Sequence, residues 1–177
     1  MRERRIAQER RRAQEFERFV AGAGGRLLRA AGLLTGEPDD RPGPAAEHLL
    51  VTALARTYAD WDRLRGEDPY ARARQELVRH FAHTAWRHRH PRGGLLDRLS
   101  PQERLVLVLR LYEGVAEEQT AAQLGLPTDR VHELFRRALG AMRSGSPAPL
   151  PGARPSPGNP PGPAPDPTLA HPEVAAS

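Results

Sequence analysis

The sequence predicts an all-α protein made of two small helical modules and a proline- and glycine-rich C-terminal tail. Through residues 14–143, apolar side chains recur three and four positions apart, the spacing of one face of a helix. No alternating apolar and polar pattern, which would indicate a strand, competes with this spacing. A proline and two glycines interrupt it within residues 91–94, so we predict a short linker there between modules at 14–90 and 95–143.

The first module is predicted to contain a series of long helices. The apolar positions of the first helix are Phe16, Phe19, Val20, Leu27, Leu28, Ala31 and Leu34. The second helix is expected over residues 45–64, with an apolar stripe formed by Leu50, Leu54, Tyr58 and Trp61. The third begins at Asp68-Pro69, an N-cap followed by a proline in the first turn, and is expected to run to about His88.

The second module is predicted to begin with a strong helix start. Ser100 can cap, Pro101 suits the first turn, and Glu103 can complete a capping box. A buried continuation follows and ends at Gly114. Two further helices are expected over residues 116–124 and 128–143.

These last two helices have the features of a helix-turn-helix. Ala121 is a small side chain where two helices approach closely, and Gly125 can adopt the left-handed conformation of a tight turn. Pro127 prevents the first helix from continuing, and Thr128 can cap the second. The residues predicted to meet the major groove of DNA are Thr128, Arg130, His132, Glu133, Arg136 and Arg137. The competing interpretation is a helical hairpin with a solvated charged face.

The two ends of the chain have biased compositions. Residues 1–13 form a basic extension, which we expect to be a frayed helix. Residues 144–177 are dominated by proline and glycine, so a disordered tail with polyproline II character is predicted. A passive tail is favoured over a proline-rich docking segment.

Charge and composition restrict the function. The formal net charge is +5 and every basic residue is arginine, which suits either attraction to a nucleic acid or simple solubility. Cysteine is absent, so disulfides and thiolate metal sites are excluded. There is no apolar run of about 20 residues and no signal peptide at the start, so we expect a cytoplasmic protein without a membrane span.

Basic and aromatic residues meet at the end of the third helix. Trp86, Arg87 and Arg89 form a cluster that suits single-stranded DNA, in which bases stack and phosphates pair with cations. An ordinary charged helix end is an equal alternative. The histidines at positions 80, 83, 88 and 90 lack a carboxylate or cysteine to complete a metal site, so they are expected to be solvated or to face nucleic acid. No cofactor is predicted, and no enzyme motif is present.

Three segments together resemble the extracytoplasmic-function sigma factors of RNA polymerase, of the actinobacterial sigma-E type. They are FERFVAGAGGRLLRAAGLLTG (16–36), ALARTYADWDRL (53–64) and LDRLSPQERLVLVLRLYEGVAEEQTAAQLGLPTDRVHELFRRALGAMR (96–143). The resemblance implies that residues 14–90 correspond to sigma region 2, which binds core RNA polymerase and opens the promoter near position minus ten. Residues 95–143 would correspond to sigma region 4, which reads the minus-thirty-five element.

The resemblance also shows where this chain diverges from the family. The polymerase-binding positions fall on Glu47, His48, Val51 and Thr52, where the family is typically acidic and contains glutamine. His80 and Thr84 occupy promoter-contact positions that usually hold asparagine and aspartate.

The implied function is that of a transcription initiation protein and not of an enzyme. Its partners would be promoter DNA and core RNA polymerase, with an anti-sigma factor as a further candidate. The alternatives are a degenerate sigma-like regulator or protein-interaction module, and a standalone helix-turn-helix regulator.

Overall fold

The protein is described from a computed structural model that covers residues 2–38, 43–64 and 66–144. All regular structure in these ranges is helical, which confirms the predicted all-α class. The α-helices are α1 (Arg2–Thr35), α2 (Pro44–Ala59), α3 (Pro69–Thr84), α4 (Pro101–Leu107), α5 (Glu117–Leu124) and α6 (Thr128–Ser144). Short 3-10 turns follow α2 and α3 at Trp61–Arg63 and Ala85–His88, and a π-helical turn at Val108–Tyr112 extends α4. The predicted tail beyond Ser144 lies outside the described residues.

Helix α1 begins at Arg2, so the basic N-terminal extension is the first part of this helix. Its early residues are largely exposed, and it becomes buried toward its C-terminal end, where Leu27, Ala31 and Leu34 are completely covered. Gly36 follows with φ of 73°, a left-handed conformation that favours glycine and ends the helix. The predicted apolar face of this helix is therefore used most strongly in its second half.

Helix α2 is capped by a side chain from outside the helix. Its N-cap residue, Gly43, has no side chain, and the Glu37 carboxylate accepts hydrogen bonds from the backbone N–H groups of Ala45 (3.1 Å) and Ala46 (2.8 Å). A carboxylate at this position satisfies N–H groups that have no partner within the helix and complements the helix dipole. Glu37 therefore fixes the start of α2.

The buried stripe of α2 is offset from the predicted one. The residues that the helix buries are Ala46, Leu49, Ala53 and Thr57. The predicted residues Leu50, Leu54, Tyr58 and Trp61 are only partly buried. Apart from Leu49, small residues face the core, because α1 and α3 both pack closely against α2. The other large residues cover its flank. Tyr58 and Trp61 pack there on Phe16, with ring centroids 4.8 and 5.1 Å away.

Helices α3 and α4 start as the sequence predicts. The Asp68 side chain accepts from the backbone N–H of Tyr70 at 3.0 Å. Ser100 and Glu103 form the reciprocal capping box that the sequence indicates. Helix α3 ends at Thr84, four residues before the predicted end, because the chain tightens into the 3-10 turn at Ala85–His88.

The two predicted modules share one hydrophobic core. The described residues within Met1–Ser146 cluster as one compact unit. The main core contains Leu34 and Phe81 from the first module together with Leu105 and Ala138 from the second. Within residues 91–94, the backbone N–H of Gly94 donates to the Gly36 carbonyl at 3.1 Å, so the predicted linker lies against the end of α1.

The buried side chain of Arg104 joins the two modules. Its guanidinium donates to the backbone carbonyl groups of Leu99 at 3.1 Å and Leu34 at 2.9 Å, and also to that of His88. The Leu34 carbonyl lies in the last turn of α1, and the His88 carbonyl lies at the end of the 3-10 turn after α3. The Leu99 carbonyl lies just before α4. One fully buried cation therefore satisfies backbone acceptors from three parts of the chain.

Candidate nucleic-acid interface

Helices α5 and α6 are joined by a tight turn with the geometry of a helix-turn-helix. Helix α5 ends at Leu124, and Gly125 follows with a left-handed φ of 64°, as the sequence predicts. The backbone N–H of Leu126 donates a hydrogen bond to the Ala121 carbonyl at 3.0 Å, and Pro127 directly precedes α6. The Pro127 carbonyl accepts from the N–H groups of Arg130 and Val131. Pro127 therefore holds the N-cap position, and Thr128 lies one residue inside the helix instead of capping it.

A small second core holds the two helices together. It consists of Ala121, Val131, Leu134 and Val106, all at most 5% exposed. The small side chain of Ala121 lies at the helix contact, as predicted, and Val131 and Leu134 are the inward residues of α6. This packing determines which face of α6 is turned outward.

The outward face of α6 carries the predicted DNA-binding residues. Exposed positions are Thr128, His132, Glu133, Arg136 and Arg137, and Arg130 is partly exposed. These side chains are therefore available to a ligand at the surface.

Ion pairs offset part of the positive charge of this face. Arg130 pairs with Glu133 at 3.0 Å, and Arg137 reaches back to the Glu103 carboxylate of α4 at 3.2 Å. The His132 Nδ1 lies 3.6 Å from a Glu117 oxygen. Arg136 makes no ion pair to any of the described residues. It is consequently the most available cation among the predicted contacts.

A second exposed cluster lies on the 3-10 turn after α3. The Trp86 side chain is 61% exposed, and the Arg87 guanidinium carbon lies 5.0 Å from the centre of its indole ring. Arg89 follows on the surface. The aromatic and basic residues that the sequence groups together are thus exposed and adjacent.

His88 does not belong to this exposed cluster, contrary to the expectation for the histidines. It is 7% exposed, and its ring stacks on Phe81 with centroids 5.2 Å apart. Burial, reinforced by Arg92 and Arg104, lowers the pKa of His88 to about 4. The tight 3-10 turn directs Trp86 and Arg87 outward while His88 packs inward, a difference that residue type alone does not indicate.

The predicted polymerase-binding residues lie on the accessible side of α2. Glu47, His48 and Val51 are exposed, and Thr52 is partly buried. The Thr52 hydroxyl donates to the His48 carbonyl at 2.9 Å. Next to Val51, a groove of about 400 Å³ runs between α1 and α2, and its lining, which includes Phe16 and Tyr58, is predominantly apolar.

Comparison with known proteins identifies the family of this chain. The profile of sigma-70 region 4 matches residues 95–144, which contain the capping box and the helix-turn-helix. The RNA polymerase sigma-E factor of Streptomyces coelicolor is 33% identical over 154 residues, a match that covers 73% of this chain and 84% of the relative. Those of Streptomyces avermitilis and Streptomyces antibioticus are 33% and 32% identical over 157 residues, each covering 73% of this chain and 83% of the relative. No solved structure gives a significant match.

The chain therefore belongs to the sigma factors of RNA polymerase, and among them to the extracytoplasmic-function type represented by sigma-E. Sigma factors are transcription initiation proteins that bind DNA, which agrees with the helix-turn-helix described above. Among the described helices, none is both long and apolar enough to cross a membrane.

Proposed function

We propose that this protein initiates transcription by binding core RNA polymerase and presenting α6 to promoter DNA. The observation that carries the proposal is the turn at Gly125, which joins α5 to α6 and leaves one face of α6 exposed with Arg130, Arg136 and Arg137. A helix presented in this way fits the major groove, where arginine can pair with guanine edges or with phosphates.

The exposed turn at Ala85–His88 has a complementary role in this proposal. Trp86 offers a ring on which an unpaired base stacks, and Arg87 and Arg89 supply cations for the phosphates of a separated strand. Stacking of this kind is worth about 1–3 kcal/mol per base, so it stabilises an unpaired base against return to the duplex. The protein would thus read duplex DNA with α6 and stabilise melted DNA with the turn.

The outer side of α2 is the proposed contact for the polymerase. Glu47, His48, Val51 and Thr52 would form it, and the exposed Val51 beside the apolar groove supplies hydrophobic area at its centre. In this proposal the protein works by binding and positioning in the cytoplasm, without a cofactor and without covalent chemistry. An anti-sigma factor would compete for the same surfaces.

In vitro transcription with core polymerase and a promoter library tests the proposal. We expect start sites that depend on the full chain and co-purification of the chain with the polymerase. A variant with Val51→Asp is expected to lose both results, because it buries a charge in the contact. Arg63→Gln, at an exposed position in the turn that follows α2 and outside the proposed contact, should retain them. Absence of any dependent start site, together with failure to co-purify, would contradict the proposal.

A second function is favoured by the character of the α2 surface. His48, Val51 and Thr52 replace the acidic and glutamine side chains expected of a polymerase contact, and an apolar groove adjoins them. A regulator that keeps the fold and binds another protein would need such a surface. This reading predicts DNA binding by α6 without polymerase binding, so the two measurements distinguish it from the first proposal.

A further inference from the structure

The two surfaces proposed to meet DNA are linked through adjacent residues of α4. Arg104 donates to the His88 carbonyl, at the end of the 3-10 turn after α3. Glu103, the residue before it, pairs with Arg137 on the outward face of α6 at 3.2 Å. This turn and α6 are therefore held to one another by two successive side chains.

These contacts limit how far apart the two surfaces can lie. An extended arginine side chain reaches about 7 Å from its Cα and a glutamate about 5 Å, and successive Cα atoms are about 3.8 Å apart. Along the path from His88 through α4 to Arg137, the two ends therefore lie at most about 30 Å apart. With the reach of the DNA-facing side chains included, the contacts of Trp86 and Arg136 stay within about 50 Å, or about 15 base pairs of straight duplex.

A second set of contacts keeps this arrangement closed. The buried Glu113 carboxylate, just after the π-helical turn, accepts from the Tyr70 hydroxyl of α3 at 2.9 and 3.0 Å. It also lies 3.7 Å from guanidinium nitrogens of Arg26 in α1 and Arg74 in α3. Separating the modules would deprive this carboxylate and the Arg104 guanidinium of buried partners and would expose the shared core. The closed unit is therefore the form expected to meet DNA.

Exposed arginines occupy the chain between the two surfaces. Arg89 and Arg98 both lie between the turn and α4, and neither forms an ion pair with any of the described residues. The one acidic residue among positions 89–100, Asp97, accepts from the backbone N–H of Gly93 at 3.0 Å. The two free cations can follow the phosphates of a DNA backbone that passes from one surface to the other.

We propose that the preferred ligand is a junction between duplex and unpaired DNA, with the two contacted parts at most about 15 base pairs apart. The positions minus ten and minus thirty-five that the resemblance implies are separated by about 25 base pairs, or about 85 Å, which the closed unit cannot span. This preference rests on the proposed DNA contacts of α6 and the turn, and it adds the distance between them. Because one unit carries both contacts, binding to the junction should be tighter than binding to either part alone.

Directed DNA cleavage by the full chain measures this distance. The chain contains no cysteine, so an iron-chelate cleavage reagent can be attached to a single new one. The two attachment sites are the exposed positions His90→Cys, beside the turn, and Asp129→Cys, near the start of α6. The probe is a fork with a duplex of about 40 base pairs and an unpaired tail of about ten nucleotides. We expect cleavage of the tail from position 90, and cleavage of the duplex within about 15 base pairs of the junction from position 129.

Two outcomes would overturn the proposal while leaving DNA binding intact. Cleavage from position 129 centred about 25 base pairs from the junction, with or without core polymerase, would mean that the modules separate. Even cleavage along the whole duplex would mean that α6 binds without regard to the turn. If neither position gives cleavage, the proposed DNA contacts fail together with the junction preference. Polymerase binding by α2 is measured separately by co-purification, so its failure is distinguishable from all of these.

Matched variants test the role of the turn in this preference. Trp86→Ala, at an exposed position, should lower the affinity for the fork at least about fivefold, because it removes the ring on which an unpaired base stacks. In the same variant, cleavage from position 129 should spread along the duplex. His83→Ala, exposed on α3 before the turn, should retain both the affinity and the cleavage pattern. A Trp86→Ala protein that behaves like the native chain would contradict the proposal.

A cross-link tests whether the modules bind DNA while closed. The side chains of Arg26 in α1 and Tyr112 in the second module each donate to the other's backbone carbonyl at 3.3 Å. A double variant, Arg26→Cys with Tyr112→Cys, can be linked there by a short bismaleimide. The linked protein should bind the fork as tightly as the same variant without the link. A loss of about tenfold or more on linking would show that the modules must separate to bind, and the proposal would be wrong.

Discussion

At the scale of single residues, the ion pairs of α6 predict unequal contributions to DNA binding. Arg136 has no ion-pair partner among the described residues, whereas Arg137 is already paired with Glu103 at 3.2 Å. Arg136→Ala should therefore reduce the slope of log affinity against log salt by about one, as expected for one lost phosphate contact, and Arg137→Ala by less. Fluorescence anisotropy with duplex DNA at several salt concentrations measures both slopes. Equal slopes in Arg136→Ala and the native chain would remove Arg136 from the interface.

Glu133 should oppose DNA binding in the same assay. Its carboxylate is exposed on the outward face of α6, and its pair with Arg130 at 3.0 Å offsets a cation that could meet a phosphate. Glu133→Gln removes the negative charge and releases Arg130, so we expect tighter binding and a steeper salt dependence. Glu118→Gln, on an exposed position of α5, is the matched control for total charge. An equal gain in both variants would show that net charge alone is responsible.

His88 should make the fold sensitive to acid. Its pKa in the native state is about 4, against about 6.5 in an unfolded chain. Between these values the unfolded state binds more protons, so the free energy of unfolding falls as the pH falls. Between pH 7 and about pH 4.5, the free energy of unfolding should fall in both proteins. We expect the fall to be roughly 2 kcal/mol smaller in His88→Phe than in the native chain. Urea unfolding in phosphate-free buffer measures this, and parallel curves for the two proteins would contradict the expectation.

At the scale of an element, the start of α2 depends on the space at Gly43. An ideal Cβ there would lie 2.3 Å from a Glu37 carboxylate oxygen, and that carboxylate is held by two backbone N–H groups. Gly43→Ala should therefore destabilise the native chain by about 1 kcal/mol, through loss of the cap. The φ of Gly43 is −93°, which alanine adopts without strain. In a Glu37→Ala background the same change should become neutral or stabilise by about 0.4–1 kcal/mol.

A double-mutant cycle with urea unfolding tests this change of sign. If Gly43→Ala costs the same in both backgrounds, Glu37 is not the group that it disturbs.

The cap of α2 also shows what sequence patterns miss. Local signals predicted the capping box at Ser100 and the turn at Gly125, because each motif is complete within a few adjacent residues. The cap of α2 comes from a residue before the preceding loop, and no local pattern reveals it.

Burial within α2 was predicted less well for a related reason. The largest apolar residues, such as Leu54 and Trp61, were expected in the core, but the core side is formed by Ala46, Leu49 and Ala53. Helical periodicity identifies an apolar face, but two neighbouring helices that approach closely favour small side chains such as Ala46 and Ala53 at the contact. The exposure of the candidate DNA-binding residues of α6 is easier to predict from the sequence. This helix has one strongly apolar side, so its charged side chains face away from that side.

At the scale of the whole molecule, the shared core was the feature least accessible from the sequence. The interruption at residues 91–94 suggested two separate modules, yet Gly94 packs against Gly36. A Cβ at Gly94 would lie 2.4 Å from the Glu37 carbonyl oxygen, so this close approach requires glycine. Composition predicts a break in the helices but does not indicate whether the segments on either side separate or pack together.

Arg104 gives the test of this shared core. Arg104→Leu would keep an apolar stem but leave the carbonyl groups of Leu34, Leu99 and His88 without their buried donor. Because each unsatisfied buried acceptor costs about 1–3 kcal/mol, we expect a loss of several kcal/mol. These carbonyl groups lie on both sides of residues 91–94, so amide hydrogen exchange should accelerate in α3 and α6 together. Leu134→Ala, which opens only the small core of the helix-turn-helix, should accelerate exchange more in α6 than in α3. If amide exchange in Arg104→Leu accelerates on only one side of residues 91–94, the two modules unfold independently.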